Sequence, residues 1–153
     1  MPYLKLHGKK GKGKVALISE CDVEDCKHFL WAIDNGYAYT TIYGRKVYLQ
    51  DFIMRPPKGF MVDHINHDTL NCTRENLRVC TKVQNGYNSN RKDRKYKGVT
   101  ALPNGKFKAR ITIDGKTINL GVFVFDMDAA IAYDKAAIEY FGEFAYLNFG
   151  GTK

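Results

Sequence analysis

Four polar residues in the middle of the chain combine the side chains that metal-assisted phosphodiester cleavage requires. Asp63 is followed directly by His64, Asn76 comes twelve residues after the histidine, and Asn85 lies nine residues further on. The oxygens of Asp63 and Asn85 suit a hard cation such as Mg²⁺, which also accepts phosphate oxygens as ligands. Histidine titrates near neutral pH, so His64 is an economical general base. The spacing therefore predicts a DNA-cutting site.

Two further residues have supporting roles in this interpretation. Asn76 could hydrogen-bond to the backbone of the loop before it and hold His64 in place. Arg78 could bind a phosphate, and a surface salt bridge is the equal alternative. Taken separately, an Asp-His pair and two asparagines would be ordinary in hydrogen-bonded turns and caps. Their combination at these intervals favours the site.

The site requires two strands joined by a polar loop. Residues 60–65 and 77–80 are predicted strands, and the polar segment 66–68 is a predicted turn. On an extended strand Asp63 and His64 would point to opposite sides of the pleat. The strand must therefore end at or near His64 if both side chains are to converge.

A helix is predicted to follow the second strand. Thr81 and Gln84 have the spacing of a capping box, which would place Asn85 near the helix start. The pair Asn85-Gly86 alone would predict a turn instead. The helical position of Asn85 thus depends on the cap.

The region before the site is predicted to be a supporting layer. It starts with a Lys/Gly-rich segment and continues with a strand at Val15–Ile18, a turn at Asn35-Gly36 and a short helix over Lys46–Met54 that Pro56-Pro57 must end. Two roles stay open for this region. It could complete the nuclease core, or it could add DNA contacts through the lysines of the first segment, namely Lys9, Lys10, Lys12 and Lys14.

The last third of the chain has the pattern of a small sheet covered by a helix. Apolar and polar residues alternate over Phe107–Ile113, and Asp114-Gly115 is a turn signal. Alternation resumes over Thr117–Phe123 with Ile118 and Leu120 inward. Helical spacing of apolar residues then predicts a helix over Asp126–Phe141, ended by a glycine. A three-stranded antiparallel sheet follows, with one face packed on the helix and one face polar and basic.

Positive charge is concentrated in one part of the chain. Residues 82–110 hold nine Lys/Arg and one Asp. Their net charge of +8 equals the formal net charge of the whole protein. Basic side chains interleaved with tyrosines suit a nucleic-acid backbone, so charge favours that partner over a merely solvated surface. The nine are Lys82, Arg91, Lys92, Arg94, Lys95, Lys97, Lys106, Lys108 and Arg110.

Composition argues against several other classes. The four cysteines form no CxxC pair, so we expect reduced thiols and no zinc. The apolar run at residues 15–18 is too short for a signal sequence or a membrane span. We therefore expect a cytoplasmic protein that has no membrane contact and needs no small-molecule cofactor.

The residues of the site resemble a known nuclease pattern. Val62-Asp63-His64-Ile65-Asn66, then Asn76-Leu77-Arg78, then Gln84-Asn85 is similar to the HNH endonucleases of the ββα-metal type, in the variant whose last histidine is an asparagine. The resemblance implies that Asp63 and Asn85 bind the metal, Mg²⁺ with Mn²⁺ as an alternative. It also implies that His64 is the general base and that Asn76 orients it. Cys72 departs from the pattern, in which asparagine is commoner.

The C-terminal region resembles the plant ethylene-response-factor, or APETALA-type, DNA-binding domain. The segments that carry this resemblance are Tyr96-Lys97-Gly98-Val99, Gly105-Lys106-Phe107, Leu120-Gly121-Val122-Phe123, residues 129–137 and Leu147-Asn148-Phe149. Members of that family lay the exposed sheet face into the major groove. The resemblance implies that the DNA contacts of this chain are Thr100, Asn104, Arg110, Thr112, Thr117 and Asn119, together with Lys106 and Lys108.

Several contact positions differ from the plant family. Its arginines correspond to Thr100, Leu102, Thr112 and Thr117 here, its tryptophans to Asn104 and Asn119, and its glutamate to Arg110. DNA binding is therefore expected, but not the plant target sequence. Similar domains accompany HNH nucleases in phages and mobile elements, which implies expression inside a host cell.

Together these observations predict an α+β protein with four parts. They are an N-terminal supporting region of strands and a helix (1–58), an HNH ββα-metal nuclease core (59–90), a basic linker (91–97) and an APETALA-type DNA-binding domain (98–150). The predicted function is site-specific, metal-dependent cleavage of double-stranded DNA by a monomer or weak dimer. One site per chain implies nicking.

A DNA-binding regulator with a non-catalytic HNH scaffold is the alternative, and RNA cleavage or nonspecific nuclease action also stays open. Predicted DNA contacts outside the sheet are Arg78 and the linker residues Arg91, Lys92, Arg94, Lys95 and Lys97.

Overall fold

The computed structural model describes residues 1–89 and 94–150. The chain divides into an N-terminal unit, Met1–Lys82, and a C-terminal unit, Val83–Lys153. Both units mix strands with short helices, which confirms the predicted α+β class. No helix among the described residues is long and apolar enough to cross a membrane.

The N-terminal unit, all of whose residues are described, contains two sheets. A six-stranded sheet has the order β5-β4-β3-β1-β2-β7, and a separate antiparallel pair is formed by β6 and β8. Short helices α1 and α2 and one 3₁₀ turn, Glu20–Asp22, connect the strands. The elements are β1 (Tyr3–His7), β2 (Val15–Ile18), α1 (Val23–Cys26), β3 (Trp31–Asp34), β4 (Tyr37–Ile42), β5 (Arg45–Tyr48), α2 (Leu49–Met54), β6 (Met61–His64), β7 (Asn71–Cys72) and β8 (Leu77–Cys80).

One hydrophobic cluster joins the predicted supporting region to the strands of the site. Leu6, Ile18 and Trp31 share this core with Cys72 and Leu77, which belong to β7 and β8. Burying one large apolar side chain contributes about 1.5–3 kcal/mol, so this shared core is substantial. Residues 1–58 therefore help to build the scaffold that carries β7 and β8.

The predicted helix over Lys46–Met54 is wrong in its first three residues. Residues 45–48 form β5, paired antiparallel with β4, and the helix α2 starts only at Leu49. Cross-strand contacts explain the difference, since Tyr48 packs edge-on against Tyr37 and Lys46 forms an ion pair with Asp34 at 2.5 Å. Such pairs act across a sheet and are not visible as a local pattern. The helix ends at Met54 as predicted, and one residue separates it from the two prolines.

The C-terminal unit contains a three-stranded antiparallel sheet in the order β11-β10-β9 in its described residues. Helix α4 packs Tyr133, Ala137 and Phe141 against Ile111 of β10. The predicted sheet and helix are thus confirmed. The elements are α3 (Lys82–Tyr87), which begins at the last residue of the N-terminal unit, then β9 (Val99–Ala101), β10 (Phe107–Ile113), β11 (Lys116–Phe123), α4 (Asp126–Phe141) and a 3₁₀ turn, Gly142–Phe144.

A register shift in the sheet limits the inward packing predicted for β11. Arg110 pairs with Asn119 while Ala109 pairs with Gly121, so one extra residue is accommodated in β11. Leu120 packs against the core cluster as predicted, whereas Ile118, opposite the buried Ile111, stays 37% exposed. An edge strand has a neighbour on one side only, which explains that exposure.

Gly98 is required where the chain enters β9. Its φ is +77°, and an added Cβ would meet the Tyr133 ring at 1.9 Å. Gly98→Ala should destabilise the C-terminal unit by roughly 2–5 kcal/mol, because left-handed strain and a clash with a core ring combine. Amide exchange of β10, measured as a function of urea concentration, would report this loss in the free energy of unfolding.

The matched control is Gly105→Ala, since Gly105 also has a positive φ, +78°, but nothing lies within 4 Å of its added Cβ. That variant should lose only the strain, roughly 1–2 kcal/mol. Fluorescence of Trp31, the single tryptophan, reports on the N-terminal unit and should not change. Equal losses in the two variants would contradict the clash.

Candidate active site and DNA-binding surface

Asp63 and Arg78 form a nearly buried ion pair across the strands β6 and β8. The two residues are directly opposite in the register, and Arg78 donates from Nε and Nη2 to Asp63 Oδ2 at 2.9 and 2.7 Å. The Arg78 side chain is 11% exposed and the Asp63 side chain is 9% exposed. Of the two roles open for Arg78, the structure shows the salt bridge, although in the interior of the unit and not at its surface.

His64 is the last residue of β6, where the predicted turn begins. The His67 N–H donates to the His64 carbonyl at 3.0 Å, which reverses the chain. The imidazole is buried, and Nε2 lies 3.5 Å from the Cys72 Sγ. Burial lowers the pKa of His64 below its ordinary value, while Asp63 and Asp68 act in the opposite direction. A lowered pKa favours the neutral imidazole that a general base requires.

Asn76 clamps the loop that follows His64. Its Nδ2 donates to the Asn71 carbonyl at 2.7 Å, and its Oδ1 accepts from the Asn66 N–H at 3.0 Å. The Asn76 carbonyl also accepts from the Ile65 N–H at 2.9 Å. The predicted backbone hydrogen bonds are therefore present, and they fix both ends of the loop that begins at His64.

Cys72 is a neighbour of the site that sequence reasoning did not assign. It lies on β7, is completely buried, and contacts the His64 ring. Burial raises the pKa of the Cys72 thiol to about 12, so it stays protonated at neutral pH. Its signal in the sequence was the departure from the commoner asparagine of the HNH pattern.

Arg74, in the connection between β7 and β8, binds the predicted supporting region. Its guanidinium donates from Nη2 to Asp22 Oδ1 at 2.7 Å and from Nε to both carboxylate oxygens of Asp22. The Arg74 N–H also donates to Ser19 Oγ at 2.8 Å. These contacts span more than fifty residues of sequence, which explains why no local pattern indicated them.

Asn85 lies in the C-terminal unit, on the short helix α3. The helix begins at Lys82, directly after Thr81, so Asn85 is helical as the capping pattern predicted. Its side chain is half-buried. The ring of Tyr87, at the end of the same helix, stacks on Phe141 of α4 with centroids 3.9 Å apart and planes 13° apart.

The open face of the C-terminal sheet presents most of the expected contact residues. Arg110, Thr112, Thr117 and Asn119 are exposed there, and the hydroxyls of Thr112 and Thr117 lie 3.0 Å apart across the strands. Lys106 and Asn104 are exposed in the β9–β10 loop, and Lys108 is half-buried.

Thr100 and Lys97 differ from the expected exposure. The Thr100 hydroxyl is buried and has no hydrogen-bond partner among the described residues. Lys97 is half-buried, and its Nζ donates to the Tyr87 and Ser89 carbonyls at 2.5 Å each. Burial lowers the pKa of Lys97 to about 8. A phosphate contact by Lys97 would require it to leave both carbonyls.

The other predicted linker contacts are only partly described. Arg94 is exposed, and Lys95 is exposed but forms an ion pair with Asp126 at 2.8 Å. Arg91 and Lys92 lie outside the described residues.

The residues of the site suit a hard divalent cation by chemical type. A carboxylate from Asp63 and an amide oxygen from Asn85 are ligands that Mg²⁺ accepts while keeping several waters. Among residues 1–89 and 94–150 there is no cluster of three His, Cys, Asp or Glu side chains placed to hold a metal.

Comparison with known proteins identifies the family. The HNH endonuclease family model matches residues 55–87, which include β6, β7, β8 and α3. An uncharacterized HNH endonuclease of Acanthamoeba polyphaga mimivirus is 33% identical over 153 aligned residues, which cover 95% of this chain and 80% of the viral protein. The chain therefore belongs to the HNH endonuclease family.

Plant proteins match a shorter part of the chain. An ethylene-responsive transcription factor of Arabidopsis thaliana is 34% identical over 98 residues, 61% of this chain and 62% of the plant protein. An AP2/ERF and B3 domain-containing protein of Oryza sativa subsp. japonica is 43% identical over 58 residues, 38% of this chain and 16% of its own length. Both resemblances seen in the sequence thus recur in independent relatives.

Asn76→Leu should destabilise the N-terminal unit by roughly 2–4 kcal/mol, because the Asn66 N–H and the Asn71 carbonyl lose their partners. Denaturant unfolding followed by Trp31 fluorescence measures this loss. Asn76→Asp keeps the acceptor for the Asn66 N–H but places a nearly buried carboxylate against the Asn71 carbonyl, so its loss should equal or exceed that of Asn76→Leu. An unfolding midpoint equal to wild type in Asn76→Leu would contradict the clamp.

Proposed function

We propose that this protein is a metal-dependent endonuclease that cuts double-stranded DNA, of the homing or phage HNH type. The observation that carries the proposal is the position of His64 at the end of β6. There its ring is buried beside Cys72, and its loop is clamped by Asn76. A general base on a phosphodiester needs an unprotonated nitrogen in a fixed position, and burial lowers the pKa of His64 in that direction.

In this proposal β6, β8 and α3 form the ββα-metal core, and residues 59–90 are the nuclease domain. Asp63 and Asn85 would hold Mg²⁺, with Mn²⁺ as an alternative and no zinc. The ion supplies stabilisation of the charge that develops on the phosphorane and on the departing oxygen. The nearly buried Asp63–Arg78 pair fixes the orientation of the Asp63 carboxylate.

His64 would accept a proton from the attacking water. The water oxygen then forms a bond to phosphorus, and the bond to the leaving oxygen breaks with its electron pair. For His64 to accept the proton at Nδ1, the ring must be in the tautomer that carries its own hydrogen on Nε2. That N–H would then point to the Cys72 Sγ. Cys72 and Asn76 thus hold the ring and the loop in place while the proton moves.

The C-terminal unit would bring DNA to this site. Its open sheet face carries Arg110, Thr112, Thr117 and Asn119, and Lys106 adds positive charge beside it. We propose residues 98–150 as the DNA-binding domain and residues 91–97 as a basic linker. A chain with one site would nick one strand per binding event, as a monomer or in a weak dimer.

A DNA-binding regulator without catalysis is the second candidate. It is favoured by one observation, that Arg78 already donates two hydrogen bonds to the Asp63 carboxylate. Sequence-specific binding with no metal-dependent nicking on any substrate would identify this function.

The two candidates are separated by cleavage of a supercoiled plasmid library that carries randomised sites. Wild type should nick selected plasmids with Mg²⁺, and His64→Ala should be at least a hundredfold slower because the general base is lost. Asn85→Ala should also lose cleavage, and added Mn²⁺ should restore part of it. His28→Ala, which removes an exposed histidine of the same unit, is the control and should cut normally. Undiminished nicking by His64→Ala would disprove its role.

DNA affinity should fall steeply with salt, because lysines and arginines release counterions from phosphates. Lys106→Gln should make the slope of log affinity against log salt shallower by about 0.9, the effect of one lost phosphate contact. Lys27→Gln, an exposed lysine paired with Glu24 in the N-terminal unit, should leave the slope unchanged. Fluorescence anisotropy with a selected duplex measures both, and a flat response in wild type would exclude a backbone contact.

A further inference from the structure

The end of helix α3 is part of the hydrophobic core of the C-terminal unit. The Tyr87 ring stacks on Phe141, which is 7% exposed and packs in the same cluster as Ile111 and Tyr133. The Tyr87 hydroxyl also lies 3.4 Å from Asp114 Oδ1, in the turn after β10. A six-residue helix is too short to be stable alone, so the packing of the Tyr87 ring determines whether it forms.

Lys97 binds the same end of the helix through the backbone. Its Nζ donates to the carbonyls of Tyr87 and Ser89, at 2.5 Å each. The last carbonyls of a helix lack partners within the helix, and a cation there is favourable. Lys97 thus supplies both hydrogen bonds and charge at the point where α3 ends.

Lys97 is itself attached to helix α4. Its N–H donates to Asn148 Oδ1 at 2.8 Å, and Asn148 Nδ2 donates back to the Lys97 carbonyl at 3.1 Å. The Asn148 N–H in turn donates to Asp134 Oδ1 on α4 at 2.8 Å. A continuous series of hydrogen bonds therefore runs from α4 to the end of α3.

We infer that Tyr87 and Lys97 are positioning residues of the nuclease, because they fix α3, which carries Asn85, to the C-terminal unit. We call the pair the α3 clasp. The inference rests on the proposed function, in which Asn85 is a metal ligand. It assigns the DNA-binding unit a second task, since the order of an active-site helix depends on that unit.

A purely structural role would give the clasp an effect on stability but none on catalysis. The two roles differ for Asn85, which lies two residues before Tyr87 on the same helix. When the helix end is released, a ligand on that helix loses its fixed position, and small displacements of catalytic groups reduce turnover strongly. The rate of cleavage at saturating DNA should therefore fall, while affinity for DNA should not.

The test uses the full chain and compares Tyr87→Ala with Tyr87→Phe. Phenylalanine keeps the stacked ring and loses only the 3.4 Å hydroxyl contact, so it is the matched control. The first measurement is amide exchange without metal or DNA. In Tyr87→Ala the amides of residues 83–87 should exchange about tenfold faster or more, while those of β10 stay within threefold of wild type.

The second measurement is nicking of the selected plasmid. In Tyr87→Ala, kcat should fall about tenfold or more and the Mg²⁺ concentration for half-maximal rate should rise, with the Kd for DNA within threefold of wild type. Tyr87→Phe should match wild type in exchange and in cleavage. Lys97→Met, which keeps the aliphatic stem and removes the two donated bonds, should change both in the same direction as Tyr87→Ala.

Two outcomes would overturn the inference. Wild-type exchange of residues 83–87 in both Tyr87→Ala and Lys97→Met would show that neither residue holds the helix. Fast exchange with unchanged kcat and Mg²⁺ dependence would reduce the clasp to a structural contact. Failure of the proposed function has a different signature, since then the wild-type chain itself would cut no substrate while the exchange of residues 83–87 still responded to Tyr87→Ala.

Discussion

The buried pairing of Asp63 with Arg78 is the contact around which the candidate active site is built. It lies across β6 and β8, in register, with both side chains largely removed from water. A buried ion pair contributes little net stability, but removal of one partner costs about 3–5 kcal/mol because the other charge is left uncompensated. The pair therefore specifies an arrangement more than it adds stability. It fixes the strand register, and with it the place where β6 ends and His64 begins the loop.

A two-stranded sheet cannot hold such a pair without support, since an isolated hairpin is marginal in water. The N-terminal region supplies that support in two ways. Leu77 packs into the core around Trp31, and Arg74 is bound by Asp22 and Ser19. Residues 1–58 thus act as the base on which the HNH strands are built. This explains why the strands of the motif matched over residues 55–87 occur in a longer, folded unit.

The C-terminal unit combines two properties that are usually separate. Its open sheet face presents polar and basic residues, as a DNA-binding surface requires, while its helix-covered side binds the end of α3 through Tyr87. Lys97 shows the distinction most clearly. By charge it belongs with the other cations of the basic segment, but its ammonium is directed to backbone carbonyls and its pKa is lowered to about 8 by burial. Net charge alone therefore overestimates the cations that are available to phosphate.

The sequence by itself determined the elements with strong periodicity and indicated the residues of the candidate site. β2, β8, β10 and α4 have the predicted bounds, because alternation and helical spacing are local properties of the chain. Asp63, His64, Asn76 and Asn85 were recognisable because chemistry restricts the residue types that can serve. Tertiary structure decided the features that depend on long-range contacts. It made β5 a strand where a helical turn was predicted, and it placed Arg78 in a nearly buried ion pair. It also set Cys72 against the His64 ring and directed the Lys97 ammonium to backbone carbonyls. Each of these depends on residues that are distant in sequence, and desolvation, which sets the charge and the partners of a polar side chain, exists only once the chain has folded.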